Sequence, residues 1–125
     1  MADEGYRSVQ VRVTNDTRGD LTVAAPQTGS GDEWLQGETP THGAMLRQYS
    51  AVTWGVSTND VNASTSAMVQ LAGLGSWPVT IVFSNSANGV SACSVSPNDA
   101  IMGSVTAVDT GEANHSLYEV QLIPG

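Results

Sequence analysis

Strict alternation of apolar and polar side chains constrains this chain more than any other feature. Val9, Val11 and Val13 fall on one side of an extended segment, with Gln10 and Arg12 on the other. That is the period-two pattern of a strand with one buried face. Residues Leu21 to Ala24 resume the pattern after the turn-forming run Asn15 to Asp20, which predicts a hairpin partner for the first strand. Further strands are predicted for Ala44 to Tyr49, Ala51 to Val56, Ala67 to Leu71 and Val79 to Phe83. The last three fall near Val90 to Val95, Met102 to Val108 and Leu117 to Ile123. Polar loops are predicted over 26–31, 37–43 and 57–66, and a tight return over 85–89. The 67–71 and 79–83 strands should form the clearest hairpin, joined through 72–78.

No apolar period of 3.6 residues is sustained long enough for a helix. About eight to nine short strands at regular spacing indicate an antiparallel sandwich or barrel. At 125 residues, without an internal repeat or linker, the chain is read as one domain over 1–125. A chain of this size can bury a core without covalent staples. Its one cysteine, Cys93, lies in the alternating run Val90 to Val95 and reads as a small buried hydrophobe, not a reactive thiol.

The charge balance narrows the partners. Twelve carboxylates face four arginines (Arg7, Arg12, Arg18, Arg47) and no lysine, a net charge of −8. Such a surface repels a phosphate backbone and offers no basic stripe, so nucleic acid is excluded as a ligand. Anionic lipid is disfavoured for the same reason, whereas a neutral or zwitterionic lipid, a glycan or a basic protein face remains compatible. The start of the chain, Met1-Ala2-Asp3-Glu4-Gly5, is acidic and has no apolar run. It is not expected to act as a signal peptide, and no stretch approaches the roughly 20 apolar residues of a spanning helix.

Catalytic and metal signatures are weak. His42 and His115 lie far apart in sequence and fit no imidazole spacing for a metal. Asp16 with Asp20, and Asp32 with Glu33, read as solvated loop carboxylates and lack the remaining ligands of a calcium loop. Glu112 near His115 imitates an acid–base pair but reads as a turn leading into the last strand. No metal, cofactor or catalytic residue is implied. The sequons at Asn15, Asn62 and Asn114 read as turn asparagines followed by Thr or Ser.

The aromatics carry more information. Trp34, Trp54 and Trp77 all sit beside turns. Trp34 and Trp54 read first as lids over an end of the core. Leu74-Gly75-Ser76-Trp77-Pro78 instead puts two large apolar side chains on a loop predicted to be flexible. An indole there suits a membrane interface or a binding surface. Trp77 and Leu74 are therefore the leading contact residues, with Trp34, Trp54 and Tyr49 behind them.

The order of these features resembles the aegerolysin family, and most of all the small component of the binary insecticidal crystal toxins of Bacillus. The resemblance runs through Val13-Thr14-Asn15-Asp16-Thr17 with Leu21, then Gly31-Asp32-Glu33-Trp34. It continues through Ile81-Val82-Phe83-Ser84-Asn85 with Gly89, and closes with Gly111-Glu112-Ala113-Asn114-His115-Ser116, Tyr118 and Val120. The chain departs from the family where Asn62 to Ala67 replace a Gly-Thr-x-Gly, where Ser86 replaces a proline, and in lacking the Asp-Cys-Pro-Trp of fungal members.

The resemblance implies a β-sandwich without enzymatic activity. It further implies a membrane-interacting insecticidal or cytolytic toxin component that acts with a larger pore-forming partner on neutral or sphingolipid-type membranes. Self-association stays open. The implied life history is synthesis in the cytoplasm, storage in an inclusion or release by lysis or unconventional export, and action outside the cell. The alternative is a lectin-like module binding glycans through loop tryptophans, with Asn59-Asp60 and Asn98-Asp99 as hydrogen-bonding partners.

Overall fold

The computed structural model describes residues 6–29, 32–88 and 90–125. The expectation for Met1-Ala2-Asp3-Glu4-Gly5, and the Gly31 and Gly89 positions of the resemblance, lie outside the described residues. Among the described residues every regular element is a strand, and no helix is long and apolar enough to cross a membrane. In chain order these are β1 (Arg7–Asn15), β2 (Leu21–Val23), β3 (Gln27–Thr28), β4 (Glu33–Trp34), β5 (Met45–Leu46) and β6 (Ala51–Thr58). They continue as β7 (Thr65–Ala72), β8 (Val79–Asn85), β9 (Ser91–Ser96), β10 (Ile101–Val108) and β11 (His115–Pro124).

The strands form two sheets. One has the order β10-β11-β1-β6-β4, and the other β5-β2-β7-β8-β9 with β3 pairing onto β7. Alternation decides what lies between them. Val9, Val11 and Val13 of β1 face Val69 and Leu71 of β7 and Ile81 and Phe83 of β8 in one buried cluster, joined by Trp54, Val56, Tyr118, Val120 and Leu122. Each such side chain contributes roughly 1.5–3 kcal/mol on leaving water, which makes this shared face the main source of stability. The all-β sandwich expectation holds.

Several local expectations are corrected. Leu21 to Ala24 is not the hairpin partner of the first strand, because β2 crosses to the second sheet and pairs with β5 and β7. Alternation fixes which face is buried but not which neighbour is bonded. The strand expected over Ala44 to Tyr49 shrinks to Met45–Leu46, and the loop expected from residue 26 contains β3. The two-residue strands β3 and β4 carry no periodicity, which is why eleven strands stand among the described residues where eight or nine are predicted. Finally, the sandwich is not wholly antiparallel, since β1 and β11 pair in parallel along eight registered positions, Ser8 with His115 to Asn15 with Leu122. Both strands run from the same end of the sandwich to the other, so side-by-side pairing has to be parallel. The hairpin β7–β8 forms as expected.

Each end of the sandwich is fastened by a buried asparagine. Asn15, at the end of β1, donates from Nδ2 to the carbonyls of Gly19 and Leu46 and accepts from the Thr17 amide and hydroxyl. Asn85, at the end of β8, donates to the carbonyls of Ser8 and Ala113 and so ties one sheet to the other. The turn reading of Asn15 is thereby borne out, and the bond network adds that the turn links two sheets.

Candidate functional site

The loops at the end where β1 finishes interlock into one rim. Asn15 starts the loop 16–20, whose Thr17 carbonyl and Asp20 carboxylate accept from the Gln48 side chain and amide. The Tyr49 amide donates to the Asn15 carbonyl at 2.6 Å, fixing loop 47–50 to the same rim. A Cβ on Gly19 would lie 3.6 Å from a Leu74 methyl, so loop 16–20 also packs on loop 73–78. Loop 97–100 completes the rim from the far side.

Loop 73–78 is not the flexible segment that its glycines predict. Asn98 donates from Nδ2 to the carbonyls of Leu74 and Trp77 at 2.8 and 2.7 Å. Its Oδ1 accepts from the amides of Ala100 and Ile101, so all four of its hydrogen-bonding positions are used. Asp99 takes the Ser76 amide on one carboxylate oxygen and the Ser76 hydroxyl on the other, both at 2.7 Å. Gly75 makes this approach feasible. Its φ of 85° is a left-handed value, and a Cβ there would lie 2.5 Å from Asn98 Nδ2.

Trp77 stands on this braced loop with 53% of its surface exposed. Its indole Nε1 donates to the Pro97 carbonyl at 3.1 Å. With its one polar atom satisfied, the ring presents only carbon to solvent. Leu74 is different: it is half-buried and packs against the core and Gly19, so it supports the rim and does not extend from it. Tyr49 is 76% exposed and has a φ of 65°. A residue with a β-carbon is strained by about 1–2 kcal/mol in that region. Its ring makes no contribution to the core in return.

No family model matches the sequence, and no curated protein matches it. Among solved structures the fold is similar to IP-1A from Alcaligenes faecalis, known from a crystal structure at 1.8 Å. The two superpose with a TM-score of 0.70 over 97% of this chain and 94% of that one, at 8% sequence identity. Likeness at that identity establishes the fold alone.

The remaining expected contact residues do not join the rim surface. Trp54 is 3% exposed and sits within the core cluster, opposite Val11 on β1, so it is withdrawn from the contact set. Trp34 pairs with Val56 at the sheet edge and rests half-buried against the core. Neither is displayed for contact: Trp34 leans on the core from the sheet edge, and Trp54 is part of the core and not a lid over its end. Cys93 lies half-buried on β9, and burial pushes its thiol up to about 11, which leaves it a poor nucleophile at neutral pH. Sequence reasoning missed Asn98, Asp99, Ser76 and Gly75 as the brace. The run Pro97-Asn98-Asp99 announces a turn, but nothing local announces that the turn holds a loop twenty residues away in the chain.

The brace has a pH signature. The Ser76 hydroxyl, and after it the Ser76 amide, hold the Asp99 carboxyl below its ordinary value of 3.8. A folded-state value below the unfolded one gives a contribution that is complete above the unfolded value and lost as pH falls through the folded one. Loop 73–78 is therefore expected to loosen only in strong acid, seen as a shift of the Trp77 indole N–H resonance. Ser76→Ala should move that transition towards 3.8 while leaving the fold intact. An indole resonance that ignores both changes would mean that Asp99 does not hold the loop.

Proposed function

We propose that this protein works by binding, as the membrane-docking component of an aegerolysin-type toxin, similar in role to the small component of the Bacillus binary insecticidal crystal toxins. The observation that carries the reading is Trp77: a braced indole with its N–H occupied and its carbon face in water. Folding alone gives no reason to brace a loop in order to expose a ring. Insertion into an interface supplies one. Depth is limited, because the ionised Asp99 carboxylate sits on the same rim and belongs in the headgroup layer. The net charge of −8 favours neutral or sphingolipid-type membranes over anionic ones. A larger pore-forming protein would then complete the lesion outside the producing cell.

Catalysis is poorly supported by the same geometry. Ser8 Oγ lies 2.8 Å from His115 Nδ1, but Ser8 is buried, so no substrate carbonyl can reach its hydroxyl. Glu112 is held by its backbone in the turn before β11, where its carbonyl accepts from the His115 amide. A glycan reading rests on the polar cleft of Glu33, Ser57, Thr58, Asn59 and Asp60, about 220 Å³ in volume. It lacks a stacking platform, because Trp34 follows Glu33 on a strand and points to the opposite face. Asn98 has no bonding capacity left for a sugar hydroxyl.

Vesicle sedimentation tests the reading. The protein is expected to pellet with phosphatidylcholine–sphingomyelin–cholesterol vesicles, and adding anionic lipid should weaken it. Failure to pellet, together with specific hits on a glycan array, would overturn membrane docking in favour of the lectin reading.

A further inference from the structure

The two flanks of the sandwich are finished differently. On one flank the sheets end in β4 and β5, each two residues long, and the segment between them, residues 35–44, buries Leu35 and Pro40. Short, covered edges are a usual protection against unwanted strand pairing. On the other flank the sheets end in β9 and β10, six and eight residues long.

β10 carries none of the usual protections. Its sequence, Ile101 to Val108, contains no charge, no proline and no bulge in its register with β11. β11 bonds one edge of it, and among the described residues the other edge is bonded only at Ile101, whose carbonyl accepts from the Asn98 amide and whose amide donates to Asn98 Oδ1. Only Ile101 is buried, and Met102, on the outer face, is 53% exposed. Gly103 packs on Val95 of β9, Val105 rests half-buried against the core, and Ala107 is exposed on the inner face. Val105 and Thr106, both β-branched, favour an extended partner.

Charge decides what that partner is. Asp99 and Asp109 stand just beyond the two ends of β10, and Glu119 on β11 lies opposite Thr106. A second copy paired antiparallel through β10 would bring Asp99 of each copy near Asp109 of the other, and two chains of −8 would repel throughout. An uncharged segment with lysine or arginine at both ends meets the opposite situation.

We propose that the free edge of β10 is a strand-addition site for an extended segment of a second protein, uncharged at its centre and basic at both ends. Main-chain bonds to the edge supply the affinity, and the bracketing carboxylates set which segment is accepted. This site does not depend on what Trp77 touches. A failure of vesicle binding leaves it standing, and its own failure leaves the rim untouched.

The test uses the full chain and three synthetic peptides of alternating Thr and Val matched to the length of β10. One is capped by lysines, one by glutamates, and one is lysine-capped with every amide N-methylated. The lysine-capped peptide is expected to protect β10 amides from hydrogen exchange by about tenfold or more, with glutamate caps about tenfold weaker and N-methylation abolishing protection. Asp109→Asn keeps the side-chain oxygen that accepts from the Gly111 amide, and should narrow the preference for lysine. Protection that survives N-methylation, that maps away from β10, or that is absent with all three peptides would overturn the proposal. So would concentration-dependent dimerisation of the chain alone with β10 protected, which would make a second copy the occupant.

Discussion

Asn85→Ala is expected to destabilise the protein by about 2–4 kcal/mol, lowering the melting temperature by roughly 10 °C. Asn85 is fully buried, and its Nδ2 donates to the Ser8 carbonyl at 3.1 Å and the Ala113 carbonyl at 3.0 Å. Those acceptors lie on β1 and in the turn before β11, so one amide holds the end of the second sheet against the first. Alanine removes both donors, opens a small void and leaves two carbonyls without that bond. Asn85→Asp separates the two causes. It keeps the shape but replaces the donor by an acceptor facing two carbonyls, and is expected to be at least as damaging as alanine. The neighbourhood has little capacity to compensate, because Asn85 Oδ1, Thr65 Oγ1 and Arg7 Nε are already buried without a hydrogen-bond partner among the described residues. Urea unfolding with an unchanged slope would measure the loss. An alanine variant within about half a kcal/mol of the wild type would show that water takes over from the amide.

The fold was largely legible because burial is written in alternation. Val9 to Val13, Ala67 to Leu71 and Val79 to Phe83 could be assigned to buried faces by position alone, and all of their alternate residues are in the core. Neighbour choice was not legible. β2 crosses to the other sheet and pairs with β5, where Asn15 also bonds the Leu46 carbonyl, a contact over thirty-one positions that no local pattern announces. The parallel pairing of β1 with β11 joins residues 107 positions apart at Ser8 and His115, and no local pattern encodes it. The candidate site divides in the same way. Trp77 was visible because a large apolar residue on a polar loop is anomalous locally. Trp54 looked similar in sequence, yet its neighbours across the sheet bury it. Gly75, read as a source of flexibility, serves close packing against Asn98.

Trp77→Ser is expected to weaken vesicle binding by roughly 30- to 150-fold. About half of an indole surface approaching 250 Å² is available to leave water, worth about 2–3 kcal/mol at 25 cal/mol per Å². Stability should fall by less than about 1 kcal/mol, since the bond lost to Pro97 is exposed. Trp77→Phe keeps most of the apolar face and loses only the N–H, so it should retain most of the binding. Leu74→Ala should behave in the opposite way, lowering stability more than binding, because Leu74 packs inward against the core. Tyr49 gives the sharpest contrast. Glycine at that position relieves the strain of a φ of 65°, so Tyr49→Gly is expected to leave stability unchanged or raise it by up to about 1 kcal/mol. Vesicle binding should fall nonetheless. A residue whose removal helps the fold and harms docking is displayed for contact. If Trp77→Ser and Tyr49→Gly both bind vesicles like the wild type, the rim is not the membrane face.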